Sequence, residues 1–138
     1  ASLAGARLDA AAAFLLAAAH WREDGQPALL LRSGNDTRRY TRVAIINRDM
    51  PFLIDSIAAT LAARGLAIDL LVHPVLPVRR RGPTLCDVPE GSGAGEKRES
   101  WVYLETERVD ARERRTLEEE LRTAILDVRA AVADWPAM

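Results

Sequence analysis

A chain of 138 residues is the size of one ordinary domain, able to bury about two-thirds of its unfolded surface around a single core. Its 19 basic and 20 acidic residues are interspersed and leave a net charge of -1, so no global field recruits nucleic acid or an anionic membrane. Cys86 is the only cysteine, which excludes an internal disulfide and a cysteine-based metal cluster and fits a reducing, cytoplasmic setting.

In chain order, the first predicted element is an alanine-rich helix from about Arg7 to Glu23, stopped by Gly25-Gln26-Pro27. Its apolar centre, Ala10 to Ala19, is too short to span a bilayer, which takes about 20 residues. Two apolar runs, about Ala28–Arg32 and Arg39–Asn47, flank Ser33-Gly34-Asn35-Asp36, residues that tolerate positive φ, and predict a β-hairpin. A junction, Asp49-Met50-Pro51, then leads into a helix whose Leu53, Ile54, Ile57, Ala58 and Leu61 recur every three or four residues on one face. Asp49 is placed to cap that helix by accepting from the Phe52 N–H, Pro51 is tolerated in the first turn, and Gly65 closes the far end.

Leu66 to Arg80 reads as one extended strand at a sheet edge, because Pro74 and Pro77 cannot donate ladder hydrogen bonds. The Pro/Gly/Ser-rich stretch 82–98, which holds Lys97, is expected to be disordered, with Arg79-Arg80-Arg81 as a solvated border. Glu99 to Arg108 is the last extended segment. Asp110 and Glu113 form a capping box opening a long helix with Leu117, Leu121, Ala124, Ile125, Val128 and Val132 in one stripe, ended by Pro136. His20 and His73 lack ligand spacing and read as structural. The chain opens without methionine and is expected to be a piece of a longer polypeptide.

This order predicts an α+β fold: a ferredoxin-like two-layer sandwich with a four-stranded antiparallel sheet in the order first-second-fourth-third, helices on one face, and an extra N-terminal helix. Residues 1–26 would form that helix and its connector, and 27–138 the domain proper. The face opposite the two later helices stays apolar, with Leu71, Val75, Trp101 and Tyr103 pointing outward. Either the first helix covers it or another module or subunit docks there. Base stacking on those aromatics is disfavoured, because ESWVYLET lacks a basic-glycine-aromatic pattern.

The strand-to-helix junction is where free backbone N–H groups hold small anions or zwitterions. Asp49-Met50-Pro51-Phe52-Leu53, followed by Ile57, Leu61 and Gly65-Leu66-Ala67-Ile68, resembles the D-x-P-G-L-L…G-x-x-I signature of ACT domains, small amino-acid-sensing modules. The longer strings NRDMPFLIDSIAATLAARGLAIDLLVHPVLPV, ESWVYLETERVD and LRTAILDVRAAVADWPAM are similar to the N-terminal region of the large bacterial NAD-specific glutamate dehydrogenases. The resemblance implies a regulatory segment ahead of a distant catalytic region that deaminates glutamate with NAD. The segment itself shows no G-x-G-x-x-G after a strand and is expected to be non-catalytic and without a cofactor of its own. By ACT analogy an amino-acid effector would sit near Asn47, Arg48, Asp49, Met50 and Phe52, and the partners would be other domains or subunits of the parent enzyme. Phe52 stands where the signature has glycine, which opens a second reading: a docking module that has lost its ligand.

Overall fold

The computed structural model describes residues 3–35, 39–89 and 97–134. The elements run α1 (Leu3–Ala19), β1 (Ala28–Asn35), β2 (Arg39–Arg48), α2 (Leu53–Ala63), β3 (Ile68–Val72), β4 (Val75–Arg81), β5 (Thr84–Asp87), β6 (Lys97–Glu107) and α3 (Ala111–Asp134). All strand pairings are antiparallel, in the order β1-β2-β6-β4-β5, with β3 also paired to β6. Because β2 and β3 flank β6 and each runs against it, they are parallel to one another, and α2 makes the crossover between them.

The hairpin forms, with Ala28 opposite Ile46 and Asn35 opposite Arg39; Ser33, Gly34 and Asn35, expected in the turn, instead continue β1, and 36–38 lie outside the described residues. Gly34 sits opposite Tyr40, and a Cβ there would come within 2.2 Å of the tyrosine ring, so the ring packs only because the side chain is missing. Gly65, at φ 71°, closes α2: its N–H donates to Ala62 O and the Leu66 N–H to Leu61 O, the two bonds of a Schellman cap. Asp110 caps α3 by accepting from the Glu113 N–H at 2.8 Å.

The predicted single strand 66–80 is corrected to two. It breaks at His73-Pro74, and the Pro74 carbonyl accepts from the Trp101 N–H at 2.9 Å, bridging the gap. The second half is not an edge, since β4 lies between β6 and β5. Pro77 fits there because β5 pairs only with Arg79 to Arg81 and asks no donor of it. The stretch expected to be disordered is corrected in part: Thr84–Asp87 form β5 and Lys97 begins β6, while 90–96 lie outside the described residues. Beyond β5, the chain just after α1 adds a short bridge, Trp21 opposite Thr84, with the Leu85 N–H donating to His20 O.

Alternation along the central strands sorts two cores. Val43, Ile45, Val102 and Leu104 meet Leu53, Ile57 and Leu61 of α2 and Leu117, Leu121 and Ile125 of α3. Ala44, Ile46, Trp101 and Tyr103 meet Ala11, Phe14, Leu15 and Ala18 of α1. The face opposite α2 and α3 is apolar at Trp101 and Tyr103 as expected, and of the two alternatives for it the first helix is what packs there, while Leu70, Val72 and Leu76 on the same face stay half-buried. Trp101 and Tyr103 are 3% and 1% exposed, beneath α1. Leu71 pairs with Leu104 and belongs to the α2/α3 side, and Val75 is half-buried opposite Ser100.

A polar network fixes α1 to the sheet. The Arg42 guanidinium lies 4.2 Å from the Phe14 ring centroid, donates to Ala10 O at 3.0 Å and to the Tyr103 hydroxyl at 3.3 Å. That hydroxyl donates to Glu105 at 2.6 Å, and Arg7 of α1 pairs with the same carboxylate. Burial, then the bond to Glu105, pushes the Tyr103 phenol up to about 12. Among the described residues no helix is long and apolar enough to cross a membrane.

Candidate functional site: a cationic cavity at the strand-to-helix junction

The end of β2 and the start of β6 lie side by side, Asn47 opposite Ser100 and Arg48 opposite Glu99. Asp49 continues this ladder instead of joining α2: its N–H donates to Arg98 O at 3.1 Å, and its carboxylate accepts from Ser100 Oγ at 3.0 Å. The expected Asp49 cap is thereby corrected. The capping position is Phe52 itself, at φ 68° and ψ 5°, and no side chain caps the helix. A left-handed conformation at a bulky non-glycine residue is strained, and it falls where the signature has glycine. Glycine would adopt this backbone conformation without strain.

Around this junction is a cavity of about 310 Å³, walled by Arg22, Asp24, Arg48, Asp49, Lys97, Arg98 and Arg129. Five cationic side chains against two carboxylates give a local excess of positive charge in a chain whose net charge is -1. Nη1 of Arg129, from α3, is buried without a hydrogen-bond partner among the described residues. An unmatched buried donor on a guanidinium is costly, and a carboxylate or phosphate oxygen satisfies it through a charge-assisted bond.

Of the five residues expected at an effector site, the structure brings Arg48 and Asp49 to this cavity and places three elsewhere. Asn47 is fully buried, its Nδ2 donating to Arg48 O at 3.1 Å and its Oδ1 without a partner among the described residues. Met50 packs against the α2/α3 core. Phe52 is 50% exposed and is not among the cavity walls.

A second cavity, about 570 Å³, shares Arg22, Asp24 and Lys97 with the first and adds Val78, Arg79, Arg80, Gly82 and Glu99. Its floor is a buried ion triad. Glu99 Oε2 accepts from Arg22 Nε at 3.1 Å, Arg22 Nη2 at 3.0 Å and Arg80 Nε at 2.7 Å, while Oε1 accepts from Arg80 Nη2 at 2.9 Å and the Trp101 indole at 3.2 Å. The spare guanidinium nitrogens donate to Gln26 O and Pro83 O. Burial raises the Glu99 carboxyl, but the Arg80 hydrogen bonds and the Arg22 and Arg80 charges outweigh it and hold it below the usual range. Arg80 is accordingly not part of a solvated basic run.

Sequence reading missed Arg22, Asp24, Arg80, Arg98, Glu99 and Arg129 and set Lys97 aside as loop. They come from the α1 connector, β4, β6 and α3, and no spacing links them. Cys86 is exposed, and among the described residues no group of three or more His, Cys, Asp or Glu is placed to hold a metal.

Residues 6–121 match the family model described as glutamate dehydrogenase, ACT1 domain. The NAD-specific glutamate dehydrogenase of Pseudomonas aeruginosa is 39% identical over 103 residues, 72% of this chain and 6% of its own length. That of Halomonas elongata is 33% identical over 103 residues, with the same coverage. The chain thus spans a small fraction of the relatives it matches. No solved structure matches it.

Proposed function

Because the chain belongs to the glutamate dehydrogenase ACT1 domain family, we propose that it is a regulatory module of ferredoxin-like, ACT-type fold carried by a long NAD-specific glutamate dehydrogenase, where it senses an amino-acid effector. The parent binds NAD and deaminates glutamate to 2-oxoglutarate and ammonia elsewhere along the polypeptide; this module binds and transmits. The β2-α2-β3 crossover around β6, with α2 and α3 on one face, supports the fold reading.

The observation that carries the sensing role is the unpartnered Arg129 Nη1 in a cavity also lined by Arg48, Lys97 and Arg98. These cations match an effector carboxylate, and Asp24 and Asp49 on the same walls match its ammonium group. Titration with a panel of free amino acids by calorimetry tests this. Saturable binding that weakens about tenfold or more in Arg129→Met, the worth of one charge-assisted hydrogen bond, is the expected result. Flat traces across the panel contradict it.

The second reading, a docking module without a ligand, draws on Phe52, which stands where the signature has glycine and lies half exposed outside the cavity walls. Flat calorimetric traces across the panel from a folded wild-type domain would favour it.

A further inference from the structure

The two edges of the sheet are finished differently. At one, β5 has four residues, a register shift against β4 and the Trp21 bridge on its outer side, devices that keep an edge from pairing with other strands. At the other, β1 runs for eight residues in unbroken register with β2, without proline or bulge.

In an antiparallel ladder successive residues turn their N–H and C=O groups alternately to the two sides. The Asp49 N–H bonds to Arg98 O of β6, so odd-numbered residues of β2 face β6 and even-numbered ones face β1. Ala28, Leu30 and Arg32, opposite Ile46, Ala44 and Arg42, therefore bond to β2, and Leu29, Leu31 and Ser33 turn their backbone groups away from the sheet. The Leu31 carbonyl shows what belongs there. It accepts at 2.8 Å from Nη1 of the adjacent Arg32 side chain, a donor standing in for the N–H of a further strand.

Helix α3 runs along this edge, and a cavity of about 260 Å³ between the two is lined by Leu31, Arg32, Ala111, Arg114, Arg115 and Glu118. Arg122, one turn beyond Glu118, reaches the start of β1 and donates to Pro27 O at 3.2 Å. Four guanidinium groups thus stand against one carboxylate in a chain whose net charge is -1. A free strand edge beside a helix takes an extended peptide as an added strand, and the charge of these walls selects an acidic one. A second copy fits poorly, because β1 carries no acidic residue and pairing it with itself would bring the two sets of arginines together.

We propose that the β1 edge and the flank of α3 form a groove for an extended, acidic segment of the parent polypeptide, added to the sheet as a further strand. The inference rests on the reading that the chain is one module of a long glutamate dehydrogenase, whose relatives this chain spans to only 6% of their length.

The test uses the full-length enzyme with the photoreactive residue benzoylphenylalanine in place of Ser33, exposed beside Arg114, and in place of Glu119, exposed on α3, as control. Irradiation at position 33 is expected to cross-link a segment outside residues 1–138 that is rich in Asp and Glu, in a species that still runs as one polypeptide. Residue-resolved amide exchange on the same enzyme is expected to show Leu29, Leu31 and Ser33 protected to within about tenfold of Leu30 and Arg32. No cross-link above the control overturns the proposal, as does a cross-linked segment without acidic residues or a dimer joined through residues 1–138 of two copies. Outward amides that exchange far faster than the inward ones overturn it as well. All these outcomes are independent of effector binding at Arg129, so failure here and failure of the sensing role are read separately.

Discussion

At the scale of single residues, three side chains carry testable burdens. Phe52 holds φ 68°, a conformation that costs an L-residue about 1–2 kcal/mol and a β-branched one more. Phe52→Gly is expected to stabilise the protein by up to about 1 kcal/mol, the relieved strain being offset in part by glycine's greater unfolded freedom. Phe52→Val is expected to lower stability by about 1–2 kcal/mol, both measured by urea unfolding. Glu99 neutralises two nearly buried guanidinium groups, so Glu99→Ala leaves them uncompensated and is expected to cost about 3–5 kcal/mol. Its carboxyl is held low in the fold, so its stabilisation is complete above the usual carboxylate range and is lost as pH falls through the depressed folded value. Tyr103 works in the opposite sense. Its phenol titrates near 10 when unfolded and at about 12 in the fold, so stability is retained below pH 10 and falls from there to about pH 12. Thermal unfolding across that range is expected to shift less in Tyr103→Phe, which has nothing to ionise.

At the scale of elements, what was legible followed from local chemistry. Asp110 at the start of α3 and Gly65 at the end of α2 are caps that a few neighbouring residues decide, and both act as read. The hairpin pairing was likewise local. The split of residues 66–80 was not, because the break at Pro74 is completed by an N–H from Trp101, 27 residues on. Strand β5 was hidden for the same reason: its outer partner is the chain after α1, more than 60 residues earlier. The docking of α1 was equally unreadable, since its alanine-rich sequence marks no preferred face. That packing now makes a prediction. Ala19 is fully buried at the end of α1, and Ala19→Leu is expected to cost about 1–3 kcal/mol by overpacking, seen as a lowered denaturation midpoint with α1 loosened in hydrogen exchange.

At the scale of the whole molecule, near-neutral net charge concealed a segregated distribution. The fold gathers Arg22 from the α1 connector, Arg48 from β2, Lys97 and Arg98 from β6 and Arg129 from α3 around one junction. The sequence pointed to the junction, and Arg48 and Asp49 were read from it. The cations that give the place its character come from segments that only the tertiary fold brings together. Such a site weakens with ionic strength, since its attraction for a carboxylate is screened over about 10 Å at 0.1 M salt. The most direct measurement is a two-dimensional NMR titration that follows backbone and arginine side-chain resonances while free amino acids are added at low salt. Saturable shifts concentrated at Arg48, Lys97, Arg98 and the Arg129 guanidinium are the expected result. Unmoved spectra across the panel, or shifts confined to another surface, would contradict a ligand at this junction.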